Sequence, residues 1–147
     1  LLIYYIKMDF QTKQRLDYEY GKKYEVILTN YLNENEIDKY DLYPGKYNPF
    51  DLFNTTTDIE LKTRKVYKDK YPTTIFNATK LEHMINDKTY IFYFLFKDGC
   101  WKWNFHKEQY FIKNAGTFAR GIDENKPHCH IPIEHLQFVT NEITSQC

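Results

Sequence analysis

Cysteine is scarce in this chain and poorly placed for cross-linking. Cys100, Cys129 and Cys147 are odd in number, far apart and without a CxxC pair. That excludes a disulfide framework and fits three free thiols in a reducing, intracellular compartment, cytoplasm or nucleus. Net charge is missing too. Twenty Lys and Arg balance twenty Asp and Glu, so the overall field favours no partner and any preference must come from local clustering. Long apolar runs are absent. The opening LLIYYIK falls well short of the ~20 residues of a membrane span, and it lacks the basic leader and small-residue cleavage site of a signal. It reads as an N-terminal extension, 1–8, with Leu1 to Lys7 upstream of a start at Met8, or as a short edge strand, with no membrane partner expected. No Walker loop, GxGxxG or GxSxG occurs, which leaves nucleotide-driven and acyl-transfer chemistries unsupported.

What the chain has in quantity is aromatic bulk. Fourteen tyrosines and eleven phenylalanines supply much of an apolar content of 42%, and 147 residues suit one domain that can bury a core without staples. Leu16, Tyr20, Tyr24, Ile27, Leu28, Tyr31 and Leu32 recur at three-and-four spacing, which predicts a helix from about Thr12 to Leu32. A turn-rich stretch through Pro44-Gly45 follows. PFDLF then reads as a short strand, NTTT as a turn and DIELKTRKVY as a longer strand, with Ile59 and Leu61 facing the core and 58, 60, 62 and 64 facing the other way. ATKLEHMIN at 78–86 reads as a helix capped by Asn77. TYIFYFLF reads as a central strand buried on both faces, Asp98-Gly99 as a hairpin turn, and CWKWNFH as a strand with one wet face. QYFIK, a loose loop through Gly116 and Gly121, a strand at HCHIPI and a short helix from Glu134 complete the pass, with 138–147 a tail. The expected fold is a single mixed α+β domain: a central mixed sheet flanked by helices.

The chemistry concentrates in DIELKTRK, which sets Asp58, Glu60, Lys62 and Arg64 at alternate positions. A divalent ion that helps hydrolyse a phosphodiester takes hard oxygens from two or more carboxylates, and a nearby cation orients the water. Glu60 and Lys62 point into one cleft, the Leu61 carbonyl between them is a further oxygen donor, and Asp51 on the preceding strand can meet Glu60 across the pair. Acid-x-Lys occurs at 60–62 and 124–126. Only the first lies on a predicted strand with an acid on the strand before it. Asp58 shares the Glu60 face and serves either as a supporting ligand or as a strand-start residue. Lys62, Arg64, Lys65, Lys68 and Lys70 follow, interleaved with Tyr67 and Tyr71, a composition suited to phosphate contact with some stacking. Lys80 adds a phosphate contact. A zinc site from Cys100, His106, His128, Cys129 and His130 competes, but no pair among them has zinc-finger spacing.

Pro49-Phe50-Asp51, eight residues, then Glu60-Leu61-Lys62 resembles the motif of the PD-(D/E)XK nuclease superfamily, the restriction-endonuclease-like enzymes. The proline stands two positions before Asp51 instead of one. The resemblance covers roughly 10–137 and implies an αβββαβ core. It implies a Mg²⁺-dependent deoxyribonuclease, Mn²⁺ being a substitute, that leaves 5′-phosphate and 3′-hydroxyl ends. Asp51, Glu60 and the Leu61 carbonyl would hold the metal, Lys62 would act on the water, and Glu25 of the first helix would be a further metal-proximal acid. The partner is then nucleic acid, most readily DNA, with a homodimer if both strands are cut. A binding module on the same fold that has lost cleavage, and an RNA-directed nuclease, are the alternatives. A bias to Asn, Lys, Ile and Tyr is that of an AT-rich genome, a viral one among them.

Overall fold

A computed structural model describes residues 9–116 and 125–145. The opening segment up to Met8, the loop about Gly121 and Cys147 lie outside the described residues. Asp9 begins the order by accepting the Thr12 N–H at 2.7 Å and capping α1, Phe10–Asn35. The helix buries Tyr24, Leu28 and Leu32, the stripe that the period predicts. Asn33 then takes both the N–H and the C=O of Tyr40 and turns the chain into β1, Asp41–Leu42. The strands that follow are β2 (Leu52–Phe53), β3 (Thr57–Thr63), β4 (Thr73–Asn77), β5 (Thr89–Phe96), β6 (Gly99–Asn104), β7 (Phe111–Ala115), β8 (Lys126–Pro132) and β9 (Gln137–Thr140).

Two sheets share the core. The larger runs β1-β2-β3-β5-β6-β9 and the smaller β4-β8-β7. Among the described residues only β3 and β5 pair in parallel, the other pairs being antiparallel. One face of the large sheet, with Ile59, Leu61, Tyr93 and Leu95, packs on α1. The other, with Phe92, Phe94, Phe96 and Trp103, packs on Phe76 of β4 and on Cys129 and Ile131 of β8. The fold is thus mixed α+β in three layers: helix, sheet and sheet.

Several expectations need correction. Among the described residues α1 is the sole α-helix, so a second sheet rather than a helix covers the far face. The segment at 78–86 forms a 3₁₀ turn, Ala78–His83, although Asn77 does cap it through the Thr79 N–H. Another 3₁₀ turn, Ile133–His135, stands where a helix from Glu134 is expected, and β9 follows it inside what reads as a tail. The hairpin turn is Lys97–Asp98, one residue earlier than expected. Gly99 is the first residue of β6, at φ +154°, where an added Cβ would lie 3.0 Å from the Trp101 ring and 3.1 Å from the Thr140 carbonyl oxygen. No helix among the described residues is long and apolar enough to cross a membrane.

Candidate functional site

Local turn chemistry brings Asp51 to Glu60. Asn54 Oδ1 accepts the N–H groups of Thr56 and Thr57 and closes the turn between β2 and β3. The resulting register pairs Leu52 with Ile59 and Phe53 with Asp58, so the next step outward sets Asp51 opposite Glu60. Asp51 donates its N–H to the Ile59 carbonyl at 2.9 Å and accepts the Leu61 N–H on Oδ2 at 2.8 Å. Because the N–H and C=O of one strand residue point the same way, the Leu61 carbonyl also faces the Asp51 side.

The alternation of β3 holds, but its second face is not wet. Asp58 and Glu60 are only 6% and 4% exposed: Phe92 stands beside Glu60 and Phe94 beside Lys62 in the parallel register, Lys80 of the turn after β4 meets Glu60, and Lys88 and Tyr43 meet Asp58. Burial acts strongly on the Asp51 and Glu60 carboxyls. It pushes Asp51 up to about 9, helped by the Glu60 charge, by a hydrogen bond between the two side chains and by the charge of Glu25. Burial works against an ionised Glu60 as well. The Lys62 ammonium, the Asp51 proton and Lys80 outweigh it and hold Glu60 below the usual carboxylate range. The pair shares one proton, carried by Asp51, as expected of two carboxyls too close to ionise together.

Two lysines meet Glu60 Oε2: Lys80 at 2.6 Å and Lys62 at 3.4 Å. Lys80, on the 3₁₀ turn after β4, also donates to the Pro49 carbonyl. Its side chain is 18% exposed against 31% for Lys62, so Lys80 is the more enclosed of the two and Lys62 the more open to solvent. Glu25 is buried on α1 and held by Lys22 at 3.2 Å. Burial raises its carboxyl, Lys22 opposes the shift, and the Glu60 charge adds to it. Among the described residues no three or more His, Cys, Asp or Glu side chains are grouped so as to hold a metal ion. Glu25 thus adds its field to the pair and is not gathered with it into one cage.

The donors present are two carboxylates and a peptide carbonyl, hard oxygens of the kind Mg²⁺ takes. Lys80 and Lys62 supply the positive charge at Glu60, and the donor set fits a divalent ion in the kind of its atoms. Asp58 is engaged elsewhere, accepting from Lys88 at 2.9 Å and from the Tyr43 hydroxyl. Those partners lie thirty and fifteen residues away, beyond any local sequence signal. The contact of Lys80 with Glu60 also escapes sequence reasoning, because it depends on how separate elements pack. Lys22 and Glu25, by contrast, are an i,i+3 pair on one helix that its period could have shown.

The basic stretch divides. Arg64 turns inward, its guanidinium donating to the Ile75 carbonyl at 2.5 Å and the Thr63 carbonyl at 3.3 Å. That ties β3 to β4. Burial lowers Arg64 to about 10 against the opposing pull of Glu60. Lys65 and Lys70 are exposed, while Lys68 is partly covered, 5.6 Å from the Trp101 ring centre and 3.6 Å from Asp69. The zinc alternative gains no geometry. His128 and His130 flank Cys129, which is fully buried in one core while Cys100 is fully buried in the other. No protein-family model, curated protein or solved structure matches the chain.

Proposed function

We propose that the chain is a Mg²⁺-dependent nuclease acting on DNA, of the PD-(D/E)XK kind, with Asp51 and Glu60 holding the metal and Lys62 acting on the attacking water. The observation that carries this reading is the placement of Asp51 across the strand pair from the buried Glu60, with Lys62 3.4 Å from Glu60 Oε2. Two buried acids kept together at the expense of one's ionisation are poor stabilisers and suit a site that takes up positive charge. A bound divalent ion would supply Lewis-acid polarisation of a phosphoryl oxygen. Asp51 would give up its proton and, with Glu60 and the Leu61 carbonyl, provide the oxygens. Lys62 would orient the water in line with the scissile bond and stabilise the charge that grows on the phosphoryl oxygens. Lys80 would keep the Glu60 carboxylate turned into the site. Products would carry 5′-phosphate and 3′-hydroxyl ends. The order α1, β1, β2 and β3, then β4 and a 3₁₀ turn, then β5 parallel to β3, supports a restriction-endonuclease-like core in outline only, since no α-helix stands at the crossover among the described residues.

A second reading has its own support. Lys62, Lys80 and the Asp51 proton already satisfy Glu60, as in a nucleic-acid-binding module on this fold that does not cleave. Incubating the purified protein with plasmid, linear duplex, single-stranded and branched DNA and with RNA, in Mg²⁺, Mn²⁺ or chelator, separates the two. The nuclease reading expects cleavage of DNA that the chelator abolishes. Binding without cleavage of any substrate in either metal assigns the chain to the module, and cleavage of RNA alone assigns it to an RNA-directed enzyme.

A further inference from the structure

Beyond the carboxylates, β3 runs into a cleft of about 460 Å³ between residues 64–68, the start of β4 and the end of β8. Its size lies within the ~300–1,000 Å³ of clefts that enclose small ligands. The wall is mainly apolar, with Phe96 and Ile133 among its side chains, and the charged residues lining it are Arg64, Lys65 and Lys68, with no acid. Two aromatic rings at this cleft remain open to solvent: Tyr67 at 63% exposure and Tyr71 at 57%. Both are far more exposed than the tyrosines of the core, and Lys97 Nζ lies 5.8 Å from the Tyr67 ring centre.

The wall that carries these groups is fixed in place. Arg64 donates its N–H to the Leu95 carbonyl at 2.7 Å, Lys97 to the Val66 carbonyl at 2.9 Å, and Lys68 to Asp98 Oδ1 at 3.0 Å. The cleft therefore sits at a set distance from the metal site, about 13 Å for the four residues from Glu60 to Arg64 at strand rise. A few nucleotides of an extended strand cover that span.

We infer that this cleft takes an unpaired nucleotide of the substrate, its base against Tyr67 or Tyr71 and its phosphates among Lys65, Lys68 and Lys97. The inference rests on the proposed nucleic-acid function and names its substrate class: DNA with a single-stranded or branched segment. Charge complementarity selects a polyanion, and the exposed rings select one whose bases are free. The faces of paired bases in an intact duplex are already stacked, whereas every unpaired base offers a π-face to a tyrosine. Lysines alone would serve a duplex equally well.

The test is binding in chelator, so that it is independent of cleavage. Anisotropy of a short labelled single strand, and of the blunt duplex of the same sequence, is measured for the parent, for Tyr67→Ala/Tyr71→Ala and for Tyr67→Phe/Tyr71→Phe. The single strand should bind the parent tighter than the duplex does. The alanine variant should lose roughly 10- to 100-fold for the single strand alone, and the phenylalanine variant should bind like the parent. A 2-aminopurine base in the strand should lose emission on binding the parent, a readout of stacking that needs no variant. Equal affinity for both forms, an alanine variant that binds as the parent does, or unchanged 2-aminopurine emission overturns the inference. Those results leave the cleavage assay untouched, so loss of the cleft and loss of the nuclease reading are told apart.

Discussion

Glu60→Gln is expected to stay folded and to lower metal-dependent cleavage by at least ~100-fold, the loss typical of removing a charge that stabilises the transition state. The side-chain amide keeps the size and strand position of the carboxylate but not its negative charge. Folding should survive because Asp51, no longer opposed by a neighbouring anion, can ionise and take over as counterion within the same cluster. Lys80 also keeps the Pro49 carbonyl. Lys62→Ala should reduce cleavage to a similar extent for a different reason. Both carboxylates remain, so Mg²⁺ affinity should equal or exceed that of the parent, because a repelling ammonium 3.4 Å from Glu60 Oε2 is gone. Single-turnover cleavage, calorimetric Mg²⁺ titration and circular dichroism of both variants check this. Full activity in either variant removes that residue from the chemistry.

Asp51→Asn should make the metal-free protein more stable, and increasingly so as pH rises. Asp51 titrates near 9 in the fold against an ordinary 3.8, so between those values the folded protein holds a proton that the unfolded chain has released. Stability must then fall as pH climbs through that window. At ~1.4 kcal/mol per pH unit the loss between pH 6 and pH 9 is on the order of 4 kcal/mol, or roughly 10 °C in Tm. Asparagine carries no titrating proton, can still accept the Leu61 N–H and can donate to Glu60, so its variant should lack that decline. Glu60 works in the opposite sense. Its carboxyl is held below the usual range, so its contribution is lost only as the solution turns acidic. Thermal melts of both proteins from pH 6 to pH 9 in chelator make the comparison. Parallel curves would mean that the pair shares no proton.

Where a single segment decides its own structure, sequence reading succeeded. The stripe of α1, the doubly buried β5 and the alternation of β3 all follow from side-chain period. The spacing of Asp51, Glu60 and Lys62 was legible because a short turn leaves antiparallel strands few registers to choose from. What covers each face was not legible. Strand β4 is five residues with modest signals, and its partner β8 lies some fifty residues further along the chain. Period alone set 58, 60, 62 and 64 facing away from Ile59 and Leu61 and could not say what covers them. That omission accounts for Arg64 turning inward to Ile75 and for Lys80, on the turn after β4, standing on Glu60 instead of facing solvent. The strand β9 went unread for the same reason, since Trp101 and Lys102, which its residues pair with, are brought there only by the finished sheet.

The central claim is that the proton between Asp51 and Glu60 stands where a divalent cation belongs. Calorimetric titration of the parent with Mg²⁺ near neutral pH, repeated in two buffers of different ionisation enthalpy, measures the protons released on binding. The account predicts one bound Mg²⁺ with release of about one proton, and for Asp51→Asn weaker binding with none. Absence of Mg²⁺ binding, or binding that releases no proton and is unchanged in Asp51→Asn, would contradict it.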